Sequence, residues 1–434
     1  RIKNGLVMAE NYRIVVLGLG YVGLPLAVSL AKHYEVVGFD INTGRVRELM
    51  AGHDRTNEID SDRLAASSMT YTSDVAEIGG YDIYIVTVPT PVDAHNVPDL
   101  GAVRAASRTV GGVIGKGAIV VFESTVYPGV TEDVCGPEIE AVSGLVCGED
   151  FFLGYSPERI NPGDREHTVE RITKVLAGQN AAVTKVLSDM YGTMTTGGVF
   201  VALDIRTAEA AKVIENAQRD INIAFVNEVA TIFQKMGLSI HDVLEAAGTK
   251  WNFLNFSPGL VGGHCIGVDP FYLAHAATSI GHHPEIILAG RRINDSMGGY
   301  VAECVARELA KTGRGAGARI LMLGLTFKEN VPDLRNSRVI DIITALKGRG
   351  FTIDVHDAFA DPAEAAQYYD VELLPSLDGA SGYQCVVGAV PHDAYCAFTG
   401  DRFQELLEPG GLIADIKGMW RKIPTPDGLI RWQL

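Results

Sequence analysis

A thiol with a carboxylate four residues on, inside a run of glycines, is the feature of this sequence best equipped for covalent chemistry. In "GLVGGHCIGVDP" (259–270), Cys265 follows Gly262 and Gly263 and precedes Asp269. Glycines let backbone or ligand come close, so Cys265 reads as a nucleophile; the same residue type is also commonly a small buried hydrophobe. His264 adjoins the thiol, but neighbours on an extended segment point apart, which argues against a direct Cys–His couple. In "AEAAKVIENAQRD" (208–220), Lys212, Asn216 and Asp220 recur at i, i+4 and i+8 on one helix face. A desolvated Lys steadies an oxyanion or acts as a base; a Lys beside Glu209 and Glu215 is also an ordinary surface ion pair, and on these residues alone that plainer reading prevails. "GYSPERINPGD" (154–164) sets Glu158 and Arg159 on a loop after a strand, where the acid is either a general base or a turn residue.

Gly18, Gly20 and Gly23 form G-x-G-x-x-G, with Tyr21 and Val22 inside it, between an apolar strand and a helix, and Asp40 follows 17 residues beyond Gly23. The first glycine makes the turn, the second admits a pyrophosphate and the third lets helix and strand pack. Asp40, at the end of the second strand, is placed to accept from ribose hydroxyls, which favours NAD over NADP. Arg45 either offers a partner to a phosphate or closes over the adenosine.

These residues need elements to hold them. "YRIVVLGLGYVGLPLAVSLAKHYEVVGFDIN" (12–42) reads as strand, glycine turn, helix, strand, and "YDIYIVTVPTP" (81–91) and "GAIVVFESTV" (117–126) as further buried strands. The series returns in order as "ARILMLGLTFKEN" (318–330), "FTIDVHD" (351–357), "YQCVVGAVPHD" (383–393) and "GGLIADIKG" (410–418). Continuous apolar strands separated by helical patterns predict parallel sheets. The second copy has no GxGxxG but carries Lys328 and Arg335 after its first strand, two cations suited to a phosphate-bearing ligand or simply solvated. Residues 204–237 contain no Pro or Gly before Gly237, predicting one helix of roughly 30 residues and about 45 Å, a natural dimer surface. "KTGRGAGA" (311–318) reads as a linker. The expected fold is α/β: two Rossmann-like parallel-sheet domains joined by a long central helix and an all-α dimerisation region. The expected domains are 8–203 (dinucleotide-binding), 204–310 (helical, with the cysteine loop) and 311–434 (the second Rossmann-like copy).

At 434 residues the chain exceeds one compact core. A formal net charge of −16 disfavours nucleic acid and anionic lipid and requires an anionic ligand's site to supply its own cations. No apolar run reaches the roughly 18–20 residues of a membrane span. Arg1–Val7 reads as an extension before a start at Met8 and lacks the apolar core of a secretory signal. Six cysteines (135, 147, 265, 304, 385, 396) lie scattered without metal-ligand spacing, so thiols in a cytoplasmic, metal-free protein are expected.

The motifs "GLGYVGLPLA", "STV" (124–126), "SPERINPGD", "AEAAKVIENAQRDINIAFVNE", "GLVGGHCIGVDP" and "LGLTFKENVPDLRNS" together resemble the UDP-glucose/GDP-mannose dehydrogenase family, from Tyr12 to about Trp420. Within it the chain looks most like the UDP-N-acetylhexosamine 6-dehydrogenases. His264 and "IGVD" stand where UDP-glucose enzymes carry "GFGGSC" and a Lys–Asp pair. The resemblance implies oxidation of a sugar C6 alcohol to a carboxylate with two NAD, through a thiohemiacetal and then a thioester on Cys265. UDP-N-acetylglucosamine is the expected substrate, with its galacto and manno epimers as alternatives, and the product would serve surface polysaccharide. A non-catalytic nucleotide-sugar-binding protein and a two-electron hydroxyacid dehydrogenase are the competing classes. The resemblance further implies that Lys212 and Asn216 stabilise an oxyanion, and that Asp269 and Glu158 divide proton and water handling. It puts Thr90, Thr125 and Arg335 at NAD, and Arg159, Asn255, Phe256, Gly259, Phe327 and Lys328 at the UDP-sugar. It also implies a homodimer or higher homo-oligomer through the long helix, with Arg291 or Arg292 reaching a neighbour's site.

Overall fold

A computed structural model describes residues 2–3, 6–7, 11–160, 168–263 and 265–434. Met8, residues 161–167 (which include the end of the "SPERINPGD" motif) and His264 lie outside the described residues. By its internal contacts the chain divides into two compact units, Arg1–Glu215 with Phe271–His282, and Asn216–Pro270 with His283–Leu434.

In the first unit, β1 (Ile2–Lys3) and β2 (Leu6–Val7) form a short antiparallel pair. The main sheet comprises β3 (Arg13–Leu17), β4 (Glu35–Phe39), β5 (Thr70–Thr72), β6 (Ile83–Val86), β7 (Ile119–Phe122), β8 (Phe152–Tyr155), β9 (Lys174–Gly178) and β10 (Val199–Val201), in the spatial order β10-β9-β8-β7-β6-β3-β4-β5. From β5 to β8 this is the 3-2-1-4-5-6 order of dinucleotide-binding sheets. Successive residues of a strand face opposite sides. Ile14, Val16, Ile83 and Ile85 accordingly enter one core cluster, and Val15, Leu17, Tyr84 and Val86 the other. Both faces are covered, which is why these strands are apolar throughout rather than alternating. One pair departs from the expected parallel sheet: β9 runs antiparallel to β8. Here the chain turns back along the strand it has just left, and the hydroxyl of Ser156 donates to the Val175 carbonyl at 2.8 Å.

The second unit's sheet, β11 (Arg319–Leu323), β12 (Thr352–His356), β13 (Tyr383–Gly388), β14 (Leu407–Asp415) and β15 (Ile430–Gln433), has the order β12-β11-β13-β14-β15 and is parallel throughout. The strands matched in the sequence take the same places in both sheets, β4-β3-β6-β7 and β12-β11-β13-β14. Correspondence extends to single hydrogen bonds. Gly18 and Gly324 both adopt a left-handed turn, at φ +95° and +97°, and donate to Phe39 and His356 carbonyls at 2.8 and 2.9 Å. The amides that follow, of Leu19 and Leu325, donate to Asp40 and Asp357 at 2.9 and 2.6 Å. Generic alternation of strands and helices would not reproduce these details, so the internal repeat is real. Where the first sheet has β5, the second keeps one parallel bridge, Val355 to Leu373.

The glycine-free stretch forms a 31-residue helix, Ile205–Lys235. A second long helix, Glu285–Lys311, was not singled out in the sequence because three glycines interrupt its pattern. At least one of them serves packing: a Cβ on Gly298 would stand 2.6 Å from that of Asp341.

Among the described glycines of the first unit, Gly23 is the most tightly enclosed. A Cβ there would come within 1.7 Å of the Gly18 carbonyl oxygen, so Gly23→Ala must force the turn away from the helix. We expect it to cost about 3 kcal/mol and to abolish NAD binding, read by thermal melting and NAD titration; a variant that binds NAD like the parent contradicts this account.

Candidate active site and nucleotide pockets

In the first unit the glycine turn lies at the carboxyl ends of the strands, where open α/β sheets take their ligands. Each glycine has a different reason to be there. Gly18 needs its backbone angle and Gly23 its lack of a side chain, whereas a Cβ on Gly20 would meet no protein atom within 4 Å. Internal packing therefore leaves Gly20 open, as the close approach of a ligand's pyrophosphate would require. Tyr21 and Val22 are partly exposed at the same turn. Asp40 is partly exposed, its carboxylate fixed by the amides of Leu19 and Asn42, both at 2.9 Å. Arg45 is turned inward instead of toward a ligand. It is 3% exposed, and its guanidinium donates to the Leu19 carbonyl at 2.8 Å, to Glu48 at 2.8 Å and to Asp54 at 2.7 Å. Its contribution to a cofactor site is to brace the turn. Thr90 and Thr125, expected beside the cofactor, are joined directly, the Thr90 hydroxyl donating to the Thr125 carbonyl at 2.7 Å.

Lys212 is buried, which removes the surface reading. Of its two nearby acids, Glu215 pairs with Arg159 at 3.0 Å, and Glu209 accepts the amides of Gly129 and Thr131 at 2.5 and 2.9 Å. Glu209 thereby holds the loop that follows Thr125. Glu158 is also buried; one oxygen accepts the Ile160 amide, and the other has no hydrogen-bond partner among the described residues. A desolvated acceptor of that kind suits the orientation of water. Beneath it lies a cluster the sequence did not announce. Lys174 meets Glu123 at 2.6 Å, and the Tyr191 hydroxyl donates to Glu123 at 2.5 Å, all three fully or almost fully buried. The Glu158 amide donates to the Glu123 carbonyl at 3.4 Å.

In the second unit the cysteine loop is held by groups remote in sequence. Asn227, buried on the long helix, uses both ends of its side-chain amide on Gly259, accepting from its N–H at 2.8 Å and donating to its carbonyl at 2.9 Å. Asn336 holds Gly263, donating to its carbonyl at 2.8 Å from the side chain and accepting its amide at 3.1 Å on the backbone. The glycines permit this closeness: a Cβ on Gly263 would stand 2.8 Å from the Phe327 ring, and one on Gly259 would stand 2.6 Å from the Lys417 ammonium. Cys265 is half-buried, and its carbonyl accepts the amides of Val268 and Asp269 at 3.1 and 2.8 Å. Asp269 opens the helix Asp269–Ser279, whose N-terminus favours a negative charge, and its carboxylate accepts from Asn216 at 2.5 Å. Asn216, Asp269 and Cys265 are thus linked by two hydrogen bonds.

The remaining expected residues fall as follows. Asn255 is exposed and lies over Gly248, and Phe256 packs with Val226, Ala230 and Ile240. Arg335 grips Asp333 at 2.7 Å. Asp220 is buried against Arg291 at 2.6 Å and Asn294 at 2.8 Å. That occupies Arg291 within its own chain, while Arg292 is exposed. Lys417 escaped the sequence reading, yet a signal was present. The repeat that matches "GGLIADIKG" to "GAIVVFEST" puts Lys417 at the place of Ser124, beside Thr125.

Models of the UDP-glucose/GDP-mannose dehydrogenase family match the chain in three segments: the NAD binding domain at residues 12–195, the central domain at 206–296 and the UDP binding domain at 321–422. Protein CapL of Staphylococcus aureus is 53% identical over 94% of this chain and 96% of its own length. The UDP-N-acetyl-D-glucosamine 6-dehydrogenase of Pseudomonas aeruginosa is 48% identical over 94% of this chain and 97% of its own. Among solved structures, a UDP-D-ManNAc dehydrogenase from Pyrococcus horikoshii superposes with a TM-score of 0.88 at 29% identity, covering 97% of this chain and 98% of the other.

Glu209 gives the stability of this loop a pH dependence. Burial pushes its carboxyl up to about 7, against the pull of Thr131 and the Gly129 amide. A carboxyl raised in the folded state adds stability that is complete below its ordinary value of 4.5 and lost as the pH rises through about 7. Thermal melts from pH 5 to 8 should therefore fall more steeply for the parent than for Glu209→Gln; parallel profiles would refute the assignment.

Proposed function

Because the chain belongs to the UDP-glucose/GDP-mannose dehydrogenase family and is an NAD-dependent UDP-sugar 6-dehydrogenase, we propose that it oxidises the C6 hydroxyl of UDP-N-acetylglucosamine to the carboxylate. The relative named for that activity supports the choice of sugar. We assign the three functional parts to residues 8–203, 204–310 and 311–434. The observation that supports this most is the chain of contacts from Asn216 to Asp269 to the Cys265 backbone, which brings an amide and a carboxylate to the segment that bears the thiol.

NAD, held by the Gly18–Gly23 turn, Asp40, Thr90 and Thr125, supplies the hydride acceptor for both two-electron oxidations. Cys265 acts between them. Its thiolate adds to the C6 aldehyde, forming a C–S bond and a thiohemiacetal, because an aldehyde must become tetrahedral before it can release hydride. Asp269 takes up the thiol proton through a water. One N–H of the Asn216 amide is used on Asp269; the other is available to the developing oxyanion, with the Lys212 ammonium as second donor. Oxidation of the adduct leaves a thioester. Water, oriented by the open oxygen of Glu158, cleaves the C–S bond and returns the thiol. Each sugar consumes two NAD and one water. Arg159, Asn255, Phe256, Gly259, Phe327, Lys328 and Lys417 are assigned to the UDP-sugar, Arg335 to NAD.

We further assign a homodimer formed through the long helix. Phe225, Val229 and Ile232 recur at i, i+4 and i+7, and Phe225 and Ile232 are 61% and 47% exposed, a stripe that a second copy would cover. The working compartment is the cytoplasm, where the product feeds surface polysaccharide; among the described residues no helix is long and apolar enough to cross a membrane.

Three experiments test this reading. A panel of UDP-sugars should give two NADH per molecule of UDP-N-acetylglucosamine, and Cys265→Ser should form no uronate while still releasing product at the aldehyde level. One NADH per sugar, preference for the galacto or manno epimer, or undiminished uronate from the variant would each overturn a specific part. Phe225→Glu should shift the protein to monomer in sedimentation with its helix content unchanged; an unchanged sedimentation coefficient refutes the interface.

A further inference from the structure

The two halves of the repeat treat the same acid differently. Asp40, in the first unit, is partly exposed where an outside ligand is expected. Its counterpart Asp357 has a fully buried side chain, and facing it is the equally buried imidazole of His392, with Nε2 at 3.1 Å from the carboxylate. His392 occupies the position that Thr90 holds in the first copy, in "AVPHD" against "TVPTP". The network fixes its tautomer. Nδ1 accepts the backbone amide of Asn330 at 2.9 Å, so the proton sits on Nε2 and points at Asp357. The same nitrogen lies 3.2 Å from the Thr326 hydroxyl, which in turn donates to the Lys328 carbonyl at 2.9 Å. Asp357 completes the arrangement by accepting the amides of Leu325, Thr326, Phe359 and Ala360 at 2.6 to 3.0 Å. Burial alone would raise its carboxyl; the His392 contact and these amides outweigh burial and hold it below the ordinary carboxylate range.

One imidazole therefore ties both ends of the segment from Thr326 to Asn330. That segment carries Phe327 and Lys328, and Phe327 is the ring against which Gly263 of the cysteine loop is packed. We propose that His392 is the positioning residue of the UDP-sugar site: it stands where a ribose hydroxyl would meet the acid in the twin domain, and by filling that place from within it fixes the loop that presents Phe327 and Lys328. This deepens the proposed function and rests on it. The domain keeps the frame of a dinucleotide fold but takes its ligand on the loop. His392 touches no reacting atom, so its removal acts on binding before it acts on chemistry.

The test uses the full-length protein, with UDP as the probe. Calorimetric titration of UDP and, separately, of NAD is run on the parent, His392→Ala and His392→Gln, alongside steady-state kinetics. His392→Ala should weaken UDP on the order of tenfold, the loss of roughly one well-placed contact, and raise KM for the UDP-sugar more than it lowers kcat. It should leave NAD affinity within about twofold. Gln can donate to Asp357 and accept from Asn330, so His392→Gln should recover most of the UDP affinity. Parental UDP affinity in His392→Ala, whatever its melting temperature, overturns the proposal, as does joint loss of UDP and NAD. If the parent oxidises no UDP-sugar, the proposed function fails while the UDP titration still decides the role of His392.

Discussion

The fold depends on one interaction made twice: an acid at the end of the second strand receives the backbone amide that follows a left-handed glycine. A parallel strand leaves its last amides without ladder partners at the carboxyl edge, and buried amides must be paired. Asp40 and Asp357 pair them and set the first two strands of each sheet in register with the turn between them. In the first unit the acid remains partly exposed and the turn is braced from behind by Arg45. In the second the acid is closed over. The same bond thus leaves an accessible acid in one half and an enclosed one in the other.

A second constraint governs the cysteine. Its loop contains glycines because other groups press close to the backbone, and a segment so rich in them has few side chains with which to anchor itself. The anchors come from elsewhere: Asn227 from the long helix and Asn336 from the loop before the helix Val339–Gly348. Both use amide groups, which imitate a neighbouring strand and satisfy donor and acceptor together. The thiol's position is accordingly a property of the tertiary structure rather than of its own segment.

Legibility in the sequence follows this division. Strands β3, β4, β6 and β7 and their repeats were readable because burial on both faces demands continuous apolar runs, and the long helix because nothing interrupts it. The glycine turn and the Gly–Cys–Asp loop were readable because their residue types are unusual in that order. Asn227 and Asn336 were not: each is a single polar residue whose meaning is its partner. Glu123 and Lys174 were hidden for the same reason, since each alone resembles the charged end of a strand. Arg45 was read as facing a ligand because it follows Asp40 by five residues, whereas its guanidinium is held inward by Glu48 and Asp54. The antiparallel β9 was illegible because strand direction is not encoded in hydropathy. Lys417 is different; the repeat already pointed to it, and the match only had to be carried to the end of the fourth strand.

The reduced edge of the second sheet, a lone bridge from Val355 to Leu373 in place of a full strand, bears on how such a molecule diversifies. A duplicated domain released from carrying a cofactor can shed flanking structure without harm, whereas its sibling cannot. Such a copy is free to vary in its loops while the paired strands behind them keep their order.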